Sequence, residues 1–479
     1  MDEQQNNTNR PVNPRRKKRS QLQVFKEAYL PIIIAAVAVL LIIIFVVGSI
    51  TRAVEKREAE EASRVAESIA LAEKQEQLAL EAQRLLSEAE PLAAQFDYLN
   101  AIALLESFSG NLDEYPDLTA KRAEYQAAQS QMVAWEDPSK VVNLSFQLLV
   151  ADAERTFTNE TYATLFNKNF VTTTEFSKIL QQLYDNGYIL VSMDDFIDTE
   201  QGADGKTVYT SKTLYLPEGK KPLMLTQTNV NYNIYLIDSD GDKFADKDGG
   251  GFATRMILDE NGKITCEMIN STGQTVTGAF DLVPILNAFV ELHPDFSYKG
   301  ARATLALTGY NGLFGYRTNP DLKDYFGVEA YNKAVEGATE IANALIAEGY
   351  ELACYTYENI AYGESETTAI QSDLTHWNDE VIPILGKLDT LVFAQNSDIS
   401  NDTGAYSGDK FDLLQSNGFT KYIGFCSDGS TWASLNNSYL RQGRLMVSGS
   451  TMAHHADWFT GMFDAASILD TTARGSTPS

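Results

Sequence analysis

One twelve-residue stretch, Asp238-Ser239-Asp240-Gly241-Asp242-Lys243-Phe244-Ala245-Asp246-Lys247-Asp248-Gly249, holds the densest run of side chains able to bind a metal. Carboxylates at relative positions 1, 3, 5 and 9 have the spacing by which one loop wraps a calcium ion, and Phe244 at position 7 can offer its carbonyl. Asp238, Asp240, Asp242, Phe244 and Asp246 are therefore the candidate calcium ligands. Lys243 stands where such loops carry glycine and Gly249 where they carry glutamate, so the ion would be structural and weakly held. A solvated acidic loop is the plainer alternative. Other reactive groups are sparse. The four histidines are His293, His376, His454 and His455. His454-His455 with Asp457 nearby is a candidate metal cluster, but adjacent residues on a strand face opposite ways, and a solvated pair is the expectation. No G-x-S-x-G elbow supplies a serine nucleophile. Cys266, Cys354 and Cys426 are widely spaced and odd in number, which reads as buried thiols.

These residues sit in a chain of 479, long enough to bury at least one large core. Its net charge of −27 excludes nucleic acid as a partner, because neutralising phosphates takes lysine and arginine on the working face. Residues 1–28 are a basic tail containing Arg10, Arg15, Arg16, Lys17, Lys18 and Arg19. Pro31 to Ile50 then carries no charge. About 20 apolar residues match the hydrocarbon core of a bilayer. A cleaved signal would have a shorter apolar region of about 7–15 residues. Residues 29–50 therefore read as a single uncleaved transmembrane signal-anchor, with the basic tail cytoplasmic and everything beyond it outside.

Residues 51–90, rich in Ala, Glu, Leu, Gln, Lys and Arg, read as a helical stalk. Their apolar stripe (Val65, Ile69, Ala72, Leu78, Leu85) is not a sustained heptad, so a semi-rigid spacer is the expectation and a coiled-coil dimer the alternative. Residues 91–136 read as a helical hairpin of tetratricopeptide-like pattern, broken at Gly110-Asn111 and Tyr115-Pro116. From 140 to 470, apolar β-rich runs alternate with amphipathic helices, the pattern of an α/β fold. The spacing from Phe176 to Tyr184 predicts a helix ended by Gly187, followed by a strand at Ile189 to Met193. Residues 471–479 are small and polar and are expected to be disordered.

The helix–Gly-Tyr–strand unit, the buried strand Leu223-Met224-Leu225-Thr226, Val283-Pro284-Ile285-Leu286, Ala303-Thr304-Leu305-Ala306-Leu307-Thr308 and Gly349-Tyr350-Glu351-Leu352-Ala353-Cys354-Tyr355 resemble the polysaccharide deacetylases, carbohydrate esterase family four. That resemblance spans most of residues 140–470 and implies a distorted (β/α) barrel. It also implies metal-assisted hydrolysis of an N-acetyl group, with one Asp as base, a second Asp and two His on the metal, and a metal-activated water as nucleophile. The family strand ends T-F-D-D-G; this one ends Thr226-Gln227-Thr228-Asn229-Val230. The family H-T-x-x-H falls on Tyr355-Thr356-Tyr357-Glu358-Asn359, and Phe393-Ala394-Gln395-Asn396 lacks the family arginine and proline. Thr228, Asn229, Tyr355 and Asn359 thus replace every charged or imidazole group the resemblance calls for, and no catalytic metal is expected.

The resulting expectation is a membrane-anchored, extracytoplasmic pseudoenzyme that binds cell-wall polysaccharide or peptidoglycan. Tyr232, Tyr310, Tyr355 and Trp432 are the candidates for stacking on sugar rings. Two alternatives stand beside it. One is an active metal-dependent N-deacetylase with non-standard ligands. The other is a non-catalytic scaffold whose stalk and hairpin hold protein partners in the cell envelope.

Overall fold

The computed structural model describes residues 21–135, 137–202, 207–400 and 404–479, so the basic run at 10–19 lies outside the described residues. The chain divides into two compact units, Met1–Glu81 and Ala82–Ser479. The boundary falls inside one helix, α1 (Leu30–Ala94), 65 residues long. Within the first unit the apolar stretch from Ile32 to Val47 has its side chains exposed. Among the described residues this is the one helix long and apolar enough to cross a membrane.

In the second unit α1 continues through Pro91 and stops at Ala94, so residues 91–94, expected in the hairpin, finish the long helix instead. Proline is tolerated there because the helix loses only one bond close to its end. Phe96, left-handed at φ 62°, turns the chain into α2 (Tyr98–Glu106), which pairs with α3 (Pro116–Ser130). Ala101, Leu105, Leu118 and Tyr125 are the buried side of that hairpin.

The rest of this unit is built on a parallel barrel. Its strands are β1 (Val142–Phe146), β2 (Tyr188–Leu190), β3 (Lys221–Thr228), β4 (Thr304–Leu307), β5 (Glu351–Cys354), β6 (Thr390–Val392), β7 (Lys421–Phe425) and β8 (Tyr439–Met446). Seven of them close a ring in the order β4-β5-β6-β7-β8-β1-β3, and β3 returns to β4 with Ala306 level with Thr228. β2 pairs with the first residues of β3, on the edge that β4 takes further along.

Alternation along the strands separates two cores, because successive side chains point to opposite faces. Met224, Ala306, Ala353, Tyr355, Val392, Ile423 and Leu440 share the inner cluster, which Met193, Phe196 and Tyr298 also join. Leu225, Leu305, Leu307, Leu352, Leu391 and Leu445 face outward, into a cluster shared with α4 (Thr173–Asp185), α5 (Leu282–Leu292), α6 (Val328–Ala347) and α7 (Thr367–His376). Polar inner positions satisfy one another: Thr226 Oγ1 donates to Asn143 Oδ1 at 2.9 Å, and Asn143 Nδ2 to Gln442 Oε1 at 3.0 Å. That chain ties the neighbouring strands β3, β1 and β8 along the inner wall.

The C-terminal segment corrects an expectation. Residues 471–479 are folded: Thr471–Arg474 is a helical turn and Arg474 is fully buried against Glu175 of α4, Nη2 to Oε2 2.6 Å. A single long cation reaching a buried carboxylate outweighs the polar composition that reads as disorder.

Candidate functional site

The carboxyl ends of the barrel strands, where α/β barrels assemble their chemistry, carry a concentration of strained backbone. Asn229 and Tyr232 after β3, Thr356 and Asn359 after β5, and Gln395 and Asn396 after β6 all have φ between 51° and 60°. Non-glycine residues are rare in that region, and such strain gathers at working sites.

The structure brings Thr228, Asn229, Tyr355 and Asn359 to this one end. Thr228 closes β3 level with Ala306 of β4, and the Tyr355 amide donates to the Leu307 carbonyl at 2.7 Å, placing Tyr355 one strand further round. Thr228 Oγ1 donates to the Phe146 carbonyl at 3.3 Å. Asn229 Oδ1 and Asn359 Oδ1 are buried without a hydrogen-bond partner, as are Ser145 Oγ and Thr308 Oγ1. These neutral groups can hydrogen-bond, but none can take a proton at neutral pH or supply the carboxylate and imidazole ligands of a zinc ion.

One buried cation at this end is Arg444 on β8, its guanidinium 5.9 Å from the Tyr355 ring centre. It donates to the carbonyls of Ile423 (3.2 Å), Gly424 (3.0 Å) and Phe393 (3.0 Å) and to Asn396 Oδ1 (3.2 Å). Desolvation pushes its pKa down. It laces β6, β7 and β8 together. Sequence reading missed it because nothing local to Gly443-Arg444-Leu445 marks an inward-pointing cation.

The stacking candidates do not converge. Tyr232 is fully buried and its hydroxyl donates to Asp281 at 2.7 Å, so it is core and not a sugar platform. Tyr355 is likewise buried, under Arg444. Trp432 lines a separate hollow of about 310 Å³ with Asp398, Cys426 and Arg441, whose guanidinium lies 5.2 Å from its ring. Tyr310 alone of the four lines a larger cleft, of about 610 Å³.

That cleft is formed by segments that follow β1, β3 and β4. Tyr162, Tyr235 and Tyr310 supply aromatic faces, Asn159 and Asn311 amides, and Asp238 and Asp248 carboxylates. Tyr162 and Tyr235 meet edge to face at 5.9 Å. Desolvation, then the neighbouring Tyr310 and Tyr162, push the Tyr235 hydroxyl up to about 12, so it stays a neutral donor. Tyr162 and Tyr235 had no sequence signal beyond following a strand.

The acidic loop borders this cleft. Carboxylate oxygens of Asp238, Asp240 and Asp246 lie within 4.8 Å of one another. Asp242 turns into its own loop and accepts from the Phe244 amide at 2.9 Å, while the Phe244 ring packs on Phe326 at 5.3 Å. Lys243 adopts φ 67°, the conformation for which calcium loops use glycine. Among the described residues, His454, His455 and Asp457 form no metal-ligating group. His454 Nε2 meets the Pro478 carbonyl at 2.8 Å, and His455 stacks on Trp458 at 4.1 Å. His376 stacks on Tyr357, and its hydrogen bond with Glu380 raises its pKa. The three cysteines are buried and unpaired.

No family model matches the chain, and no curated protein sequence does. Among solved structures, it is similar to the Streptococcus pyogenes deacetylase PplD in complex with acetate. The two are 11% identical with a TM-score of 0.32, over 71% of this chain and 99% of that one.

Proposed function

We propose that this chain is a membrane-anchored, extracytoplasmic deacetylase-like protein that binds cell-wall glycan at the carboxyl end of its barrel without cutting it. The observation that carries the reading is the cleft beside the mouth, where three tyrosines and two asparagines meet, together with a mouth whose Thr228, Asn229, Tyr355 and Asn359 are neutral. Sugar rings present apolar faces that tyrosines cover, and hydroxyls that amides and the unpartnered Asn and Thr oxygens can bond. Hydrolysis of an amide at neutral pH asks for an activated water, and these residues offer neither a base nor the charged ligands that would hold an activating metal.

The test uses the full-length chain in detergent with N-acetylated and de-N-acetylated cell-wall oligosaccharides. Expected are measurable binding, no acetate release and no tightly held zinc-class metal by elemental analysis. Tyr235→Ala and Tyr310→Ala should each weaken binding about tenfold, the equivalent of about 1.4 kcal/mol. Acetate release with stoichiometric zinc would overturn the reading. Binding unaffected by both tyrosine variants would move the glycan to another surface.

Calcium in the acidic loop belongs to the same proposal, as a structural ion holding Asp238, Asp240 and Asp246 beside the cleft. An ion that binds the folded form alone stabilises it by about 2.7 kcal/mol at a hundredfold excess over its dissociation constant. Millimolar calcium is therefore expected to raise the thermal midpoint, and Asp240→Asn to abolish the shift. Equal midpoints with calcium and with chelator would remove the ion from the account.

A further inference from the structure

The tyrosine-lined cleft does not end at the acidic loop. It shares Asn159, Thr161, Ser239 and Asp248 with a neighbouring hollow of about 730 Å³ that runs past Glu154, Glu160 and Arg155 to Ser271. The two are therefore one trough. Pockets of about 300–1,000 Å³ enclose a single small ligand, so a trough made of two suits a chain of several linked rings.

Its charge is uneven. Lys247 Nζ is held by the two oxygens of Asp248 at 2.7 and 2.6 Å. Arg155 Nη1 donates to the Lys247 carbonyl at 2.9 Å, and its Nε lies 3.7 Å from Asp152. Those cations are matched. Glu154 and Glu160 are exposed on the trough and have no ion-pair partner among the described residues. The first stretch is thus mainly aromatic and amide, with Asp238, the shared Asp248 and Lys243, whose Nζ lies 4.6 Å from the Tyr325 ring centre, and the next adds two carboxylates without ion-pair partners among the described residues.

A fully N-acetylated chain offers that second stretch no cation. A chain with free amines offers one on each deacetylated sugar, and ammonium–carboxylate hydrogen bonds are stronger than neutral ones. We propose that the trough binds a polysaccharide whose sugars carry free primary amines, with Tyr162, Tyr235 and Tyr310 covering the rings and Glu154 and Glu160 pairing with the amines. This rests on the glycan-binding reading above and names its ligand class.

The experiment titrates the full-length chain in detergent, at mildly acidic pH, with glucosamine oligomers, N-acetylglucosamine oligomers of the same length, and oligolysine. The expected result is glucosamine binding about tenfold tighter than the acetylated oligomer. The advantage should shrink at high salt as exposed charges are screened. Glu154→Gln with Glu160→Gln should remove that advantage; both side chains are exposed, so the fold is not at risk. Acetylated oligomers binding as tightly or tighter would overturn the amine specificity and keep the glycan reading. Neither sugar binding would overturn both. Oligolysine binding as tightly as glucosamine oligomers would show that charge alone is read, and would overturn the sugar ligand.

Discussion

Replacing Arg474 by alanine is expected to cost about 3–5 kcal/mol of barrel stability, the range found when one partner of a fully buried ion pair is removed. Arg474 and Glu175 are both shielded from solvent, joined by Nε to Oε1 at 2.9 Å and Nη2 to Oε2 at 2.6 Å. The remaining guanidinium donors reach the carbonyls of Asn167 (2.9 Å) and Phe170 (2.8 Å). Glu175 also accepts from the Thr172 amide at 2.9 Å in the capping box that starts α4. The alanine variant strands a buried carboxylate at a helix N-terminus and leaves two carbonyls unbonded. Deleting residues 471–479 should cost at least as much, whereas Glu175→Gln with Arg474→Met should recover part of the loss by removing both charges. Denaturant midpoints of the three variants decide it. A loss under about 1 kcal/mol, the value of an exposed pair, would mean that the tail is not a clamp.

Arg444→Met is the second large effect, also about 3–5 kcal/mol, with a different signature. Methionine fills the space but removes the guanidinium donors from the carbonyls of Phe393 and Gly424 and from the Asn396 amide oxygen, at about 1–3 kcal/mol for each that stays buried unbonded, while the Ile423 carbonyl keeps the Phe393 amide at 3.0 Å. Lysine should not rescue, since a point ammonium cannot reproduce a planar fork spread over three strands. The loop after β6 should also loosen locally. Gln395 and Asn396 hold left-handed conformations there, and Gln395 Nε2 donates to the Asn359 carbonyl at 3.3 Å. Hydrogen exchange at 393–397 should rise well above that of β3 in the variant. Uniform protection in both would make Arg444 a passive filler.

Much of the frame was legible because it is local. The uncharged run from Pro31 to Ile50 reads as a span from composition, and the apolar spacing from Phe176 to Tyr184 reads as the helix found at Thr173–Asp185. The strand at 221–228 follows from an apolar run with a polar carboxyl end, and its last residues do stand at the barrel mouth. Tyr232 was misjudged for the opposite reason: an aromatic after a strand looks free in sequence, yet Asp281, forty-nine positions away, takes its hydroxyl inward.

What the sequence determined by itself is chemical identity. Thr228, Asn229, Tyr355 and Asn359 are uncharged at neutral pH wherever the fold puts them. What only the tertiary structure decided is proximity. Ring closure sets Thr228 level with Ala306, Arg474 reaches Glu175 across 299 positions, and Tyr162, Tyr235 and Tyr310 share one cleft. Periodicity and propensity act over a few residues, whereas these contacts are fixed by how apolar faces of distant elements bury one another. No local pattern records that.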